Sequence, residues 1–294
     1  VSGGFATLSF ARRVEAPPET LWQAWTAPAA RAVWAAPTPE VEVEFLEADS
    51  RAGGREVSLC HVAGQAAIRC DVGWLVLEPG AVLWRSVNSE VISRGGVALS
   101  AALVTAEVTA EGAGARIAVT VQLSSLGEEM EAGYRAGFGA GLDNLAGVAG
   151  RTMVIRRAIR APLEAVWAAW WDAEALPRWW GPEGFSCRTA RIDLREGGEW
   201  VFDMIGPDGT VFPNHHRYGQ VLPGARIDYA LHWGENGPKH ADAWAIFAQG
   251  AEGTEVTLGM VFATAEEWRT AKGFGAEALG LQTLGKLAVA AGAD

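Results

Sequence analysis

Adjacent histidines with a carboxylate close by are the first place to look for chemistry in this chain, and His215-His216 with Asp203 form such a set. Two imidazoles and a carboxylate could hold a divalent metal or relay a proton. The surrounding residues alternate as a strand does, however, and neighbouring strand residues point to opposite faces of a sheet. The two histidines cannot enter one cavity or chelate one ion without a bulge, so neither a metal site nor a catalytic residue is assigned. Only His216 shares parity with Tyr218 and can face inward; the simpler reading leaves it on the strand surface beside the Pro213-Asn214 turn. His232 and His240 flank a turn at 234–238 and read as solvated loop residues. No His-Glu-x-x-His, Cys-x-x-Cys, Gly-x-Ser-x-Gly or phosphate-loop signature occurs. Gly137-Phe138-Gly139-Ala140-Gly141 imitates a dinucleotide fingerprint but falls inside an expected helix rather than between a strand and a helix, so no cofactor is assigned.

The elements that position these residues are announced by a duplication. Ala16-Pro17-Pro18-Glu19-Thr20-Leu21-Trp22-Gln23-Ala24-Trp25 returns, with six identities, as Ala161-Pro162-Leu163-Glu164-Ala165-Val166-Trp167-Ala168-Ala169-Trp170, a spacing of 145. Trp34 and Trp179 keep the same spacing. Arg51-Ala52-Gly53-Gly54 then matches Arg195-Glu196-Gly197-Gly198, and Pro79-Gly80-Ala81 matches Pro223-Gly224-Ala225, after the loss of one residue. A period this long is a whole domain rather than a solenoid repeat. The chain of 294 residues is therefore expected to form two domains, 1–149 and 150–294.

Bulk properties exclude several function classes. A formal net charge of −11 leaves no basic footprint for nucleic acid or anionic lipid. No apolar run reaches membrane-spanning length and no basic leader opens the sequence, which predicts a cytoplasmic protein with no membrane partner. Cys60, Cys70 and Cys187 are too few and too unevenly shared for a disulfide framework and read as free thiols. Fourteen tryptophans, concentrated early in each copy and on the later strands of the second, imply an aromatic interior.

Within the second copy, a strand at 151–160 is followed by two short helices, through about Asp172 and from Ala173 to Trp179. Gly181-Pro182 stops the second of these. Alternating segments at 185–194, 198–205, 211–222, 225–233, 241–248 and 254–262 read as six strands in meander order, and 265–290 as one long helix. The first copy repeats this order less clearly, with a terminal helix from Gly127 to about Val148. The fold class is α+β: a curved antiparallel sheet gripping a long C-terminal helix, once in each copy. Alternation sends Trp200, Phe202 and Met204 to one face, with Tyr229, Leu231 and Trp233 inward on another strand. In the first copy, Glu56 and Ser58 stand where Trp200 and Phe202 do, and Arg85 where Tyr229 does; the preferred reading reverses the parity and leaves both charges solvated.

Specific motifs carry a family likeness. The segment Arg178-Trp179-Trp180-Gly181-Pro182-Glu183-Gly184-Phe185, then Gly197-Gly198-Glu199-Trp200, Gly206-Pro207-Asp208-Gly209, Pro213-Asn214, Gln220-Val221-Leu222-Pro223 and Gln282-Thr283-Leu284-Gly285-Lys286-Leu287 resemble the bacterial relatives of the heat-shock-protein-90 ATPase activator C-terminal domain. These belong to the START and birch-pollen-allergen (SRPBCC) superfamily of helix-grip proteins. The resemblance spans nearly all of the second copy; the first lacks the second Trp, the glycine and the Gly-Pro-Asp-Gly hairpin. It implies a helix-grip fold and, more loosely, a hydrophobic small molecule or a chaperone as partner, with a cavity enzyme (cyclase, dehydratase or hydrolase) as a further alternative. The expected pocket lies in the second copy, lined by Trp179, Trp200, Phe202, Met204, His216, Tyr218, Tyr229 and Leu231, with Phe274 and Leu281 on the helix that lids it.

Overall fold

A computed structural model describes residues 4–36, 38, 40–125 and 128–293. The chain divides into two compact units between Gly150 and Arg151. In the first, β1 (Gly4–Val14) leads into α1 (Pro18–Thr26) and α2 (Pro28–Trp34). The strands β2 (Val41–Ala48), β3 (Arg55–Val62), β4 (Ile68–Glu78), β5 (Leu83–Arg94), β6 (Val97–Glu111) and β7 (Gly114–Ser125) follow, and α3 (Glu128–Ala149) closes the unit. Gly127, where the sequence reading began this helix, lies outside the described residues.

The second unit repeats the plan with β8 (Thr152–Ile159), α4 (Leu163–Trp170), α5 (Leu176–Trp179), β9 (Ser186–Ile192), β10 (Glu199–Ile205), β11 (Val211–Leu222), β12 (Arg226–His232), β13 (Lys239–Gly250) and β14 (Gly253–Phe262). Two helices end it, α6 (Ala265–Gly273) and α7 (Ala276–Ala290). Each unit holds a seven-stranded antiparallel sheet in which the first strand returns to pair with the last, in the orders β1-β7-β6-β5-β4-β3-β2 and β8-β14-β13-β12-β11-β10-β9. A meander whose opening strand closes on its final one curves around one face, and that face is covered by the helices.

The repeated motifs have physical causes that recur in both units. Gly53 and Gly197 sit at φ 80° and 74°, a region that side chains disfavour. The peptides of each Gly-Gly pair clasp a residue on the strand one place away: Gly53 N–H donates to Trp74 O and Trp74 N–H to Gly54 O, as Gly197 N–H donates to Tyr218 O and Tyr218 N–H to Gly198 O. A Cβ on Gly54 or Gly198 would lie 2.2 Å from the carbonyl oxygen of Asp49 or Asp193. The paired tryptophans make one bond in two places, Trp34 Nε1 to Ala24 O and Trp179 Nε1 to Ala169 O, both 2.8 Å. That bond pins the second short helix to the first.

The structure corrects the single long helix expected at 265–290. It breaks at Gly275, which holds φ 81° and ends the α6 turn. Of the other glycines there, Gly280 makes the close approach, since a Cβ on it would come within 2.5 Å of Ile155 Cδ1, whereas Gly273 faces open space. A tighter contact occurs on the sheet. A Cβ on Gly259 would lie 1.9 Å from the Trp244 ring, which is wholly buried. Gly259→Ala is therefore expected to cost at least about 1–3 kcal/mol by overpacking, read as a lowered urea midpoint for the second unit; an unchanged midpoint would show that Trp244 swings aside.

Candidate functional site

Pairing register decides which side chains share the interior of the second unit. Trp200 lies opposite His216, His216 opposite Leu231, and Tyr218 opposite Tyr229, so β10, β11 and β12 present these residues on one face. Phe202, two places along from Trp200, stacks on it at a centroid distance of 3.7 Å and 16°. His216 is 3% exposed and is enclosed edge-on by Trp180, Trp200 and Phe202 at 5.0–5.4 Å, with Tyr229 at 5.2 Å. His216 is therefore inward, with Tyr218, and not on the strand surface beside the Pro213-Asn214 turn. Burial without a counter-charge lowers its pKa to about 3, so the imidazole is neutral near pH 7.

The helices supply the opposite wall. Trp170 packs edge-on against Trp179, Trp180 and Phe247, and Trp171 against Tyr218 at 5.2 Å. Tyr218 and Tyr229 are buried, and desolvation raises both phenol pKa values well above their ordinary range. The Tyr218 hydroxyl is buried with no hydrogen-bond partner among the described residues. Met204, Leu258, Met260, Trp171 and Trp180 are only partly buried and form an apolar rim against this core. From α7, Lys286 Nζ donates to the carbonyl oxygens of Pro182 and Phe185 at 3.4 and 3.3 Å, and Gln282 Oε1 accepts from Glu183 N–H at 3.2 Å. The Trp-Gly-Pro segment and the terminal helix are thereby tied together, which gives both motifs one structural role.

The expected site residues thus separate into two groups. Trp179, Trp200, Phe202, His216, Tyr218, Tyr229 and Leu231 belong to one buried cluster, with Met204 packed against it. Phe274 and Leu281 do not: they are 62% and 39% exposed, Phe274 in the turn between α6 and α7 and Leu281 within α7, whose buried residues are Thr283, Leu284 and Leu287. Trp171, Trp180 and Phe247 were not singled out for the site. Phe247 was legible from its parity with Ala243 and Ala245, which face the same interior.

Outside this cluster the charged and aromatic residues make separate contacts. His215 faces the opposite side of the sheet, where its Nε2 lies 2.7 Å from Glu199 Oε2, and Asp203 pairs with Arg188 at 2.7 Å. The apparent two-histidine constellation is divided by the sheet itself, and no group of three or more potential metal ligands occurs among the described residues. Arg191 holds the Glu199 carboxyl down to about 2. His240 is not a solvated loop residue but lies in β13, stacked on Trp233 at 4.1 Å, and burial lowers its pKa to about 4. His232 closes β12 and is half-buried. Trp233 is 49% exposed rather than inward, beyond the register shift between Leu231 and His232. In the first unit, Glu56 is 1% exposed and not solvated, because Arg31 reaches its side chain; Arg85 is a surface partner of Glu78. At the sheet edge of the second unit, a depression of about 240 Å³ opens where the β9–β10 register shifts, lined by Arg188, Thr189, Ala190, Val201, Phe202 and Asp203.

Comparison with known proteins agrees with this architecture. Residues 15–150 and 160–291 each match the family described as "Activator of Hsp90 ATPase homolog 1-like protein", and the chain belongs to that family. Solved structures similar to it include a protein of Rhizobium leguminosarum (28% identity, 49% of this chain and 94% of that one, TM-score 0.43). A protein of Rhizobium loti (27%, 50% and 98%, TM-score 0.43) and one of Nitrosomonas europaea (23%, 48% and 94%, TM-score 0.44) are also similar. No curated protein matches. No helix among the described residues is long and apolar enough to cross a membrane.

Proposed function

We propose that the second unit binds a hydrophobic small molecule, aromatic or acyl in character, between the inner face of its sheet and the helices α4, α5 and α7. The observation that carries this reading is the Tyr218 hydroxyl, a polar atom buried in an aromatic wall with no hydrogen-bond partner among the described residues. An unsatisfied buried hydroxyl costs about 1–3 kcal/mol, a cost offset when a ligand's polar end accepts from it. The partly exposed Met204 and Met260 give the rim adaptable, polarizable side chains suited to irregular apolar ligands.

Titration of tryptophan fluorescence with dodecanoic acid and with 1-anilinonaphthalene-8-sulfonate tests the proposal. Saturable quenching is expected, and Tyr218→Phe is expected to weaken it by about 5–10-fold, the worth of one neutral hydrogen bond, without loss of thermal stability. Absence of saturable quenching by either probe sinks the reading. Family membership supports a second reading, stimulation of an Hsp90-type chaperone ATPase; a coupled ATPase assay with the full chain decides it. Proton-transfer chemistry by His216, Tyr218 or Tyr229 is the weaker alternative. The histidine titrates far below neutrality and the phenols far above it, whereas an effective acid or base titrates near the working pH.

A further inference from the structure

The first unit sets different chemistry at equivalent positions of its sheet. Glu56 pairs with Val72 and Trp74 with Asn88, as Trp200 pairs with His216 and Tyr218 with Tyr229. Glu90, opposite Val72, takes the place of Leu231. From α2, the Arg31 guanidinium lies over two rings, 5.5 Å from the centroid of Trp34 and 5.2 Å from that of Trp74. Its Nη2 stands 3.4 Å from Glu56 Oε2, an ion-pair distance, while Ser50 donates to Glu56 Oε1 at 2.8 Å. Tyr134 of α3 donates to Glu90 Oε1 at 2.7 Å, and burial raises the Glu90 pKa.

Three polar atoms around Arg31 are buried with no hydrogen-bond partner among the described residues: Glu56 Oε2, Arg31 Nε and Trp74 Nε1. Glu56 and Trp74 are each 1% exposed. Two of these atoms can only donate, and the third is a carboxyl oxygen suited to accept. Buried polar atoms almost always find partners, so these two donors and one acceptor set the chemistry that a ligand here must match. An apolar molecule would leave all three unsatisfied. A carboxylate would be placed against the carboxyl groups of Glu56 and Glu90 as well as against Arg31.

We propose that the first unit carries its own binding site, for a small neutral molecule bearing an amide-type group. The ligand's carbonyl oxygen accepts from Trp74 Nε1 and Arg31 Nε, and its N–H donates to Glu56 Oε2. This site is independent of the hydrophobic ligand proposed for the second unit. The test uses the full chain with 2-pyrrolidinone, a compact lactam, followed by saturation-transfer NMR, with cyclopentanone as the same ring lacking the N–H. The lactam is expected to bind with a Kd on the order of 1 mM, and cyclopentanone at least several-fold more weakly. Trp74→Phe, which removes the indole donor, and Glu56→Gln, which removes the charge from the acceptor, are each expected to weaken the lactam by about 5–10-fold. Tyr218→Phe leaves it unchanged. If Trp74→Phe does not fold, Glu56→Gln decides alone. The proposal is overturned if the lactam gives no saturation transfer, as when buried water alone fills the site. Equal binding of cyclopentanone, or equal lactam affinity in the folded variants, overturns it as well.

Discussion

Trp200→Ala is expected to destabilise the second unit by about 3–5 kcal/mol, the usual cost of removing a fully buried large aromatic ring. Trp200 has 0% exposure and stacks face to face on Phe202 at 3.7 Å, and its ring is also met by Trp180 and His216. Its indole Nε1 donates to Thr189 Oγ1 at 3.1 Å, so truncation also leaves that hydroxyl without its donor. Since single domains are stable by only about 5–15 kcal/mol, such a loss should move the second unit's urea transition far from that of the first, as followed by circular dichroism. The same variant separates two roles for the aromatic wall. A large drop in the urea midpoint marks Trp200 as core, whereas a nearly unchanged midpoint with dodecanoic acid affinity lost marks it as the lining of an occupied cavity.

The second large effect is on pH dependence. An exposed histidine titrates near 6.5, but His216 titrates near 3 in the folded chain because burial disfavours its charged form. The folded pKa is the lower one, so the unfolded chain binds the extra proton. The stabilising contribution is complete above about pH 6.5 and is lost as pH falls from there toward 3, at roughly 1.4 kcal/mol per pH unit. His216→Phe keeps a ring in the aromatic cage and removes the titration. Between pH 7 and pH 5 the native chain should lose about 2 kcal/mol more than the variant, measured as the difference in urea midpoints. His240 and His215 add smaller electrostatic contributions to the shift of His216, and both remain in the two chains being compared. Equal slopes for the two proteins would show that His216 is solvated.

The aromatic cage shows how far local sequence reaches. Strand parity alone separated His215 from His216, because period-two alternation holds whatever surrounds the sheet, and the structure places them on opposite faces. It also brought Trp200, Phe202 and Tyr229 to one interior. Parity failed at Glu56, where the apolar neighbours Val57 and Leu59 favoured the opposite facing. The charge is tolerated inside because Arg31, distant in sequence and carried on another element, neutralises it. It failed again at Trp233, since a register shift of one residue turns a side chain to the other face and leaves little trace in composition.

The duplication, the strand content of the sheets and the element order up to the last strand of each copy were determined by sequence alone, since each depends on local periodicity and on turn residues that recur at a fixed spacing. The glycine pairs at 53–54 and 197–198 were visible as a repeat, but their purpose, clasping Trp74 and Tyr218 across the sheet, is a contact between distant segments. Tertiary structure also decided which of the four glycines at 265–290 breaks the terminal helix. Only Gly275 adopts a positive φ at that break, and Phe274 in the turn and Leu281 on α7 are exposed rather than closing the site. The partnering of buried polar atoms was likewise decided in three dimensions: a hydrogen bond is satisfied or left open by residues that folding brings together, as Tyr218, Trp74 and Glu56 show.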